Sequence, residues 1–394
     1  MTGQERWDVV VVGAGPAGAT AAIAALARMP GVRVLLLDRD DFPRDKSCGD
    51  GIAPHALDVL AGLGVHDVVE GWEPVRRLDL SRGGTRVEGH LARPVWVVPR
   101  SVFDARLVGR AVEAGASLVR HRVRHLRTTG RGVVIDDQFV ARVVIGADGD
   151  QSVVRDSVGS RLRGQRAIAI RGYAPTAGTR RGLQLIRYGE RRQPSYAWAF
   201  DRGDGQSNVG YGELLDSDTG LSKALLLDQL EQLIPGAATS GSEWRAHHLP
   251  LSGWGRGAGQ PDGPVLLVGD AAGLVNPMTG EGIYYAVATG AIAGRIAGDA
   301  VRRGQPDVAG ARHRKAVGSL LGRHLKHTWT AARLSRSARV VEAGIAASAR
   351  DRRVFDDLVE LGLGDGRLTP RLVGGLGHEL LASRAGHRVM NREI

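Results

Sequence analysis

Along the chain, short unbroken apolar runs alternate with longer mixed stretches. Trp7-Asp8-Val9-Val10-Val11-Val12 is a β-branched run that stops at Gly13, the pattern of a strand buried on both faces of a parallel sheet. The alanine-rich stretch after Gly18 predicts a helix to about Met29, and Val32 to Leu37 predicts a second buried strand closing at Asp38. Two similar runs recur. Val143-Val144-Ile145-Gly146 leads into a short helix from Ser152, and Val265-Leu266-Leu267-Val268 into a long helix reaching about Arg303. Between Ala167 and Leu214 the texture changes to short alternating segments with glycine-rich turns. Ala167–Tyr173, Leu183–Tyr188, Ser195–Phe200 and Asn208–Glu213 read as antiparallel strands, with Arg77 to Leu91 as a further hairpin of the same sheet. Beyond the long helix the chain reads as helical to its end, with a loop near Gly362–Gly366.

The first turn carries Gly13-Ala14-Gly15-Pro16-Ala17-Gly18, between a strand and a helix. Gly13 permits the tight turn, Gly15 lets backbone approach a pyrophosphate, Gly18 lets helix and strand pack closely, and the helix start at Ala17 offers its dipole to phosphate. Asp38 closes the next strand where a carboxylate can accept from ribose hydroxyls, with Arg39 beside it. An adenine dinucleotide is expected here, and this motif alone leaves NAD and FAD open.

Composition removes several classes. Glycine fills 56 of 394 positions, about twice the usual share, which points to close backbone approach and many turns. The net charge of +11 raises the question of a polyanion. The arginines are spread along the chain without zinc-finger, basic-zipper or RNA-binding spacing, so no nucleic-acid partner is expected. Peripheral contact with an anionic membrane surface stays open. The single cysteine excludes an internal disulfide or a cysteine metal cluster, and a cytoplasmic setting is the default. The start of the chain lacks a signal peptide's basic region, and no apolar run is long enough to span a membrane. His247, His248, His313, His324 and His327 lack ligand partners at metal spacing and read as solvated or capping residues, so no metal is expected. Nothing in the pattern sets an oligomeric state.

Two later strand ends narrow the cofactor. Ile145-Gly146-Ala147-Asp148-Gly149 and Gly269-Asp270, the latter followed by Asn276-Pro277-Met278-Thr279-Gly280-Glu281-Gly282, resemble elements of FAD enzymes of the p-hydroxybenzoate hydroxylase fold. The resemblance implies FAD, with Asp148 near the pyrophosphate, Asp270 on the ribityl chain, and Gly269, Gly280, Gly282 and Ile283 around the second helix start. Arg100 resembles the arginine that reaches the cofactor in that fold; otherwise it is a surface arginine opening a helix. The implied fold class is α/β: a Rossmann-like FAD-binding domain of residues 1–75, 95–165 and 258–307, an inserted antiparallel-sheet substrate domain of 76–94 and 166–257, and a helical region of 308–394.

Pro43-Arg44-Asp45-Lys46-Ser47-Cys48-Gly49-Asp50-Gly51 and Tyr196-Ala197-Trp198-Ala199-Phe200 resemble motifs of the geranylgeranyl reductase family, most closely the actinobacterial prenyl-quinone reductases. Asp201 stands where that family usually has proline. The resemblance implies saturation of C=C bonds in an isoprenoid chain: prenyl quinone, prenyl diphosphate or prenylated lipid. Its alternative is a monooxygenase acting on a specialised metabolite, because one fold hosts both chemistries. Cys48, flanked by Gly49, suits a proton donor near the flavin or a small residue packing the ring edge. Tyr196, Trp198 and Phe200 share one strand face, to line an apolar tunnel or to fill an interdomain core, and Tyr211 has the same two readings. Asp45 and Asp50 read as turn formers. No second nucleotide motif follows another strand, so NADPH binding transiently and ferredoxin are both compatible electron donors.

Overall fold

The structure is a computed structural model that describes residues 4–162, 164–215, 221–253 and 260–390. Two sheets organise it. In the first, Glu5–Val12 lies at the centre, parallel to Val34–Asp38 on one side and to Phe139–Gly146 on the other, so that Val9 is opposite both Val34 and Val143. Ser117–Arg120 extends one edge. The outer edge of Phe139–Gly146 is shared: its first half pairs with Gly132–Ile135, its second with Val265–Leu267. Val9, Val10 and Val11 and Leu35, Leu36 and Leu37 are fully buried, which is why these runs show no polar alternation.

The helices Pro16–Arg28 and Ile283–Arg302 pack against each other beside this sheet. A Cβ at Gly290 would fall 2.2 Å from the carbonyl oxygen of Ala17, and one at Gly294 would fall 2.1 Å from that of Ala21. The two backbones therefore meet at a distance only glycine permits, and the alanine-rich face opposite is its complement.

The second sheet runs in the order Ser242–Pro250, Arg166–Pro175, Gln206–Leu214, Ser195–Asp201, Leu183–Tyr188, Pro74–Arg82, Thr85–Val97 and Gly51–Ile52. Ala197, Ala199 and Tyr211 face one side, under the helix Lys223–Leu233. Tyr196, Trp198 and Phe200 face the other. Two of these strands lie outside the expected set. Ser242–Pro250 is a largely exposed edge strand of mixed polar sequence, with no apolar alternation to reveal it. Gly51–Ile52 is two residues long, and joins the Cys48 loop to Thr85–Val97.

Four helices, Ala309–Leu334, Ala338–Arg350, Arg352–Leu363 and Pro370–Met390, complete the described chain. Val341, Ile345 and Phe355 pack on the hairpin strands Pro74–Arg82 and Thr85–Val97. Arg82 pins the same contact by pairing with Glu190 at 2.7 Å and with Glu342. His313 and His324 are buried, not solvated: His324 bonds the Tyr285 hydroxyl and the Gly366 carbonyl, tying three segments together. No described helix is long and apolar enough to cross a membrane.

Candidate active site

A cavity of about 930 Å³ runs between the two sheets and continues under the C-terminal helices. One end is the glycine-rich turn. Gly13 has φ +96°, and a Cβ there would meet the Ala147 carbonyl oxygen at 2.4 Å; one at Gly18 would fall 1.8 Å from the Gly13 oxygen. Strand end, turn and helix are thus in direct backbone contact. Gly15 caps the helix Pro16–Arg28 without a side-chain bond, leaving its first-turn N–H groups directed at the cavity. The nearest atoms to the missing Gly15 side chain are the guanidinium nitrogens of Arg44 at 3.5 Å and Arg100 at 3.9 Å. Asp104 orients both: it receives two hydrogen bonds from Arg100, at 2.7 and 2.8 Å, and pairs with Arg44 at 3.3 Å. Free helical N–H groups beside two fixed guanidiniums fit a pyrophosphate.

Asp38 first serves the loop itself, accepting from the Ala14 N–H at 2.7 Å and the Asp40 N–H at 3.0 Å. Arg39 is exposed and pairs with Asp40. Asp148 accepts from the Ser152 hydroxyl at 2.5 Å and the Val154 N–H at 3.2 Å, so it organises the start of the short helix Val153–Ser157. Gly18 and Gly269 contribute packing and do not line the cavity. Gly13, Gly15, Ala17, Asp38, Arg39, Arg100, Asp148, Asp270, Gly280, Gly282 and Ile283 all border it.

At the middle of the cavity the Cys48 loop meets the second sheet. The Asn208 amide donates to the Cys48 carbonyl and to Asp50 Oδ2, both at 2.8 Å, while its own oxygen accepts from Trp198 Nε1 at 2.8 Å. Tyr173 donates to the same Asp50 oxygen at 2.7 Å. Asp50 is therefore no exposed turn former. It is fully buried at φ +59°, and burial pushes its carboxyl up to about 6 against the lowering effect of these donors. Asp45 likewise pairs with Arg171 and, at 2.9 Å, with Arg245. Burial raises the Cys48 thiol, Arg100 draws it back down, and Asp50 and Glu281 push it up. Burial also lifts Glu281, to about 7. Asp270 is held at 3.0 Å by Lys46; burial opposes its ionisation, but Lys46, His247 and Arg100 lower its pKa overall.

Tyr188, Tyr196, Trp198 and Phe200 form a continuous aromatic wall, with successive ring centres 5.8, 6.0 and 6.4 Å apart. Gly49 lies against it: a Cβ there would sit 3.5 Å from Phe200 and 3.7 Å from Trp198. The aromatic strand thus lines the cavity, whereas Tyr211 turns away and bonds Glu213 at 2.7 Å. Past this wall the lining is apolar, with Leu78, Leu80 and Ile186 on the sheet side and Val341, Ile345 and Leu372 on the helical side. Sequence reasoning gave these helices no part in the site. Arg44, Lys46, Asp50, Asp104, Tyr173 and Asn208 were also outside the expected site set; Arg44, Lys46 and Asp50 lie within the Pro43–Gly51 motif, and the four-residue spacing of Arg100 and Asp104 was a further local signal.

Residues 6–205 match the family model described as an FAD binding domain. The chain is 33% identical over 320 residues to a menaquinone reductase of Mycolicibacterium smegmatis, covering 74% of this chain and 76% of that protein. It is 36% identical over 328 residues to a digeranylgeranylglycerophospholipid reductase of Methanopyrus kandleri, covering 75% and 81%. A geranylgeranyl bacteriochlorophyll reductase-like protein of Thermoplasma acidophilum superposes with a TM-score of 0.76 at 20% identity, over 91% of this chain and 97% of that one. The α/β architecture is that of the p-hydroxybenzoate hydroxylase type, and the cradle around Gly13, Gly15 and Gly18 fits the FAD that the family model implies. The chain belongs to the geranylgeranyl reductase family of FAD-dependent oxidoreductases.

Proposed function

We propose that this enzyme reduces C=C bonds of an isoprenoid chain, a prenyl quinone, prenyl diphosphate or prenylated lipid. The observation that carries this reading is the cavity itself: a half-buried thiol and an aromatic wall open directly into an apolar extension with no hydrogen-bonding task for a substrate. FAD, when bound in its reduced form, supplies hydride. Gly13, Gly15, Ala17, Asp38, Arg44 and Arg100 hold its adenine and pyrophosphate end, and Lys46, Asp270, Gly280, Gly282 and Ile283 the flavin end.

Cys48 supplies the proton. Its raised pKa keeps the thiol protonated at neutral pH, so the proton to be given to the alkene carbon is present on Sγ. The faces of Tyr196, Trp198 and Phe200 exclude water and stabilise positive charge that develops at a tertiary carbon during reduction. The second sheet, expected to be antiparallel but in fact mixed because Leu183–Tyr188 runs parallel to Pro74–Arg82, acts as the substrate domain over 76–94 and 166–257, and the helices of 308–394 close the apolar extension over it. Leu334 lines that extension and is also 46% exposed, which suits collection of substrate at the inner face of a membrane. Electrons arrive from NADPH or ferredoxin.

Product mass tests the reading. A prenyl substrate turned over by the FAD-loaded enzyme gains two hydrogens for each bond reduced; gain of an oxygen atom would make the enzyme a monooxygenase.

A further inference from the structure

We infer that Asp50 is a positioning residue for the Cys48 proton: fixed by Tyr173 and by the same Asn208 amide that holds the Cys48 carbonyl, its carboxylate sets a negative charge in the thiol loop and retains that proton against Arg100. This deepens the reading of Cys48 as proton donor and rests on it.

Three observations carry the inference. Asp50 occupies a left-handed conformation, φ +59°, between two glycines, where a third glycine would rest without strain. Its side chain is nevertheless fully buried and tied to two strands of the second sheet, through Tyr173 on Arg166–Pro175 and Asn208 on Gln206–Leu214. Both donors reach Oδ2, while Oδ1 has no partner among the described residues. A loop held only for its shape has no need of a half-satisfied buried carboxylate, which carries a desolvation cost.

The surrounding charges give the carboxylate its task. Arg100 faces Cys48 from the helix Arg100–Glu113, and a guanidinium beside a cysteine favours thiolate. A thiolate has no proton to give. Lys46 is engaged by Asp270 and Arg100 by Asp104, and Arg100 is the cation with the largest effect on the thiol. Opposing it are Asp50, within the same loop, and Glu281, from the turn before Ile283–Arg302. Arg171 and Arg100 act in turn on Asp50, favouring its ionised form at neutral pH and above.

Cys48 is the only cysteine, so iodoacetamide reports its titration directly. The alkylation rate is measured across pH on the FAD-loaded enzyme, for the wild type, Asp50→Asn and Asp50→Gly. Loss of the neighbouring negative charge is expected to lower the thiol midpoint by about one pH unit in both variants. Glycine suits the positive φ, so Asp50→Gly decides the matter if asparagine disturbs the loop. A midpoint unchanged or raised in Asp50→Gly overturns the inference. Failure of the underlying reading looks different: Cys48→Ala would then retain full turnover, whatever the wild-type and Asp50 variant midpoints show.

Discussion

The side-chain amide of Asn208 donates to the backbone carbonyl of Cys48 at 2.8 Å, joining residues 160 positions apart. The same side chain holds Trp198 and Asp50, so one buried amide sets the spacing between the thiol loop and the aromatic wall. Replacing Asn208 with alanine would leave the Trp198 N–H and the Cys48 carbonyl unpaired in the interior. The expected cost is about 2–3 kcal/mol in urea denaturation. Turnover should fall more than tenfold while FAD content, read from flavin absorbance, stays near wild type, because the glycine-rich cradle is untouched. Parallel loss of FAD would contradict this division of labour.

Asp50 gives stability a pH dependence. Its folded-state pKa is about 6, above the ordinary carboxylate value. As pH rises the unfolded chain ionises first, so the group's contribution is fully present below about pH 4, falls towards pH 6, and stays lost above it. The shift corresponds to about 3 kcal/mol. Relative to Asp50→Asn, the wild type should therefore weaken by about that amount between pH 4 and pH 7. A flat difference across this range would show that Asp50 is not forced to ionise in the interior.

The contact between Pro16–Arg28 and Ile283–Arg302 depends on glycine at 290. Gly290→Ala forces backbone apart at Ala17, in the first turn that faces the pyrophosphate. A loss of about 1–3 kcal/mol is expected, with weaker FAD affinity by fluorescence titration. Gly318→Ala is the control: it lies in Ala309–Leu334 with open space around it, and should stabilise by about 0.5–1 kcal/mol without altering FAD binding.

Gly344 borders the apolar extension from the helix Ala338–Arg350, and nothing lies within 4 Å of its missing side chain. Gly344→Phe should fold normally and retain FAD, but obstruct the far end of the cavity. Long prenyl substrates should show a raised KM and short ones little change. Equal effects on both would place the substrate elsewhere.

Local order in the chain made the first sheet readable. The valine and leucine runs are buried on both faces, and Gly18 is required by a contact with Gly13, five residues away. The Cys48 loop and the aromatic strand stood out through their resemblance to motifs of the geranylgeranyl reductase family, each carried by contiguous residues. What stayed hidden depends on distant partners. Nothing near Asp50 announces Tyr173 and Asn208, and nothing near Arg44 announces Asp104. The strand Ser242–Pro250 escaped because an exposed edge needs no apolar alternation, and the C-terminal helices because their apolar faces read equally as core.

The most direct measurement is anaerobic. FAD-loaded enzyme is photoreduced, mixed with a prenyl substrate, and followed by flavin absorbance. The account predicts that the oxidised flavin spectrum returns without oxygen, only when the substrate is present, and that the product has gained two hydrogens. A flavin that stays reduced until oxygen is admitted, with an oxygen atom then found in the product, would contradict it.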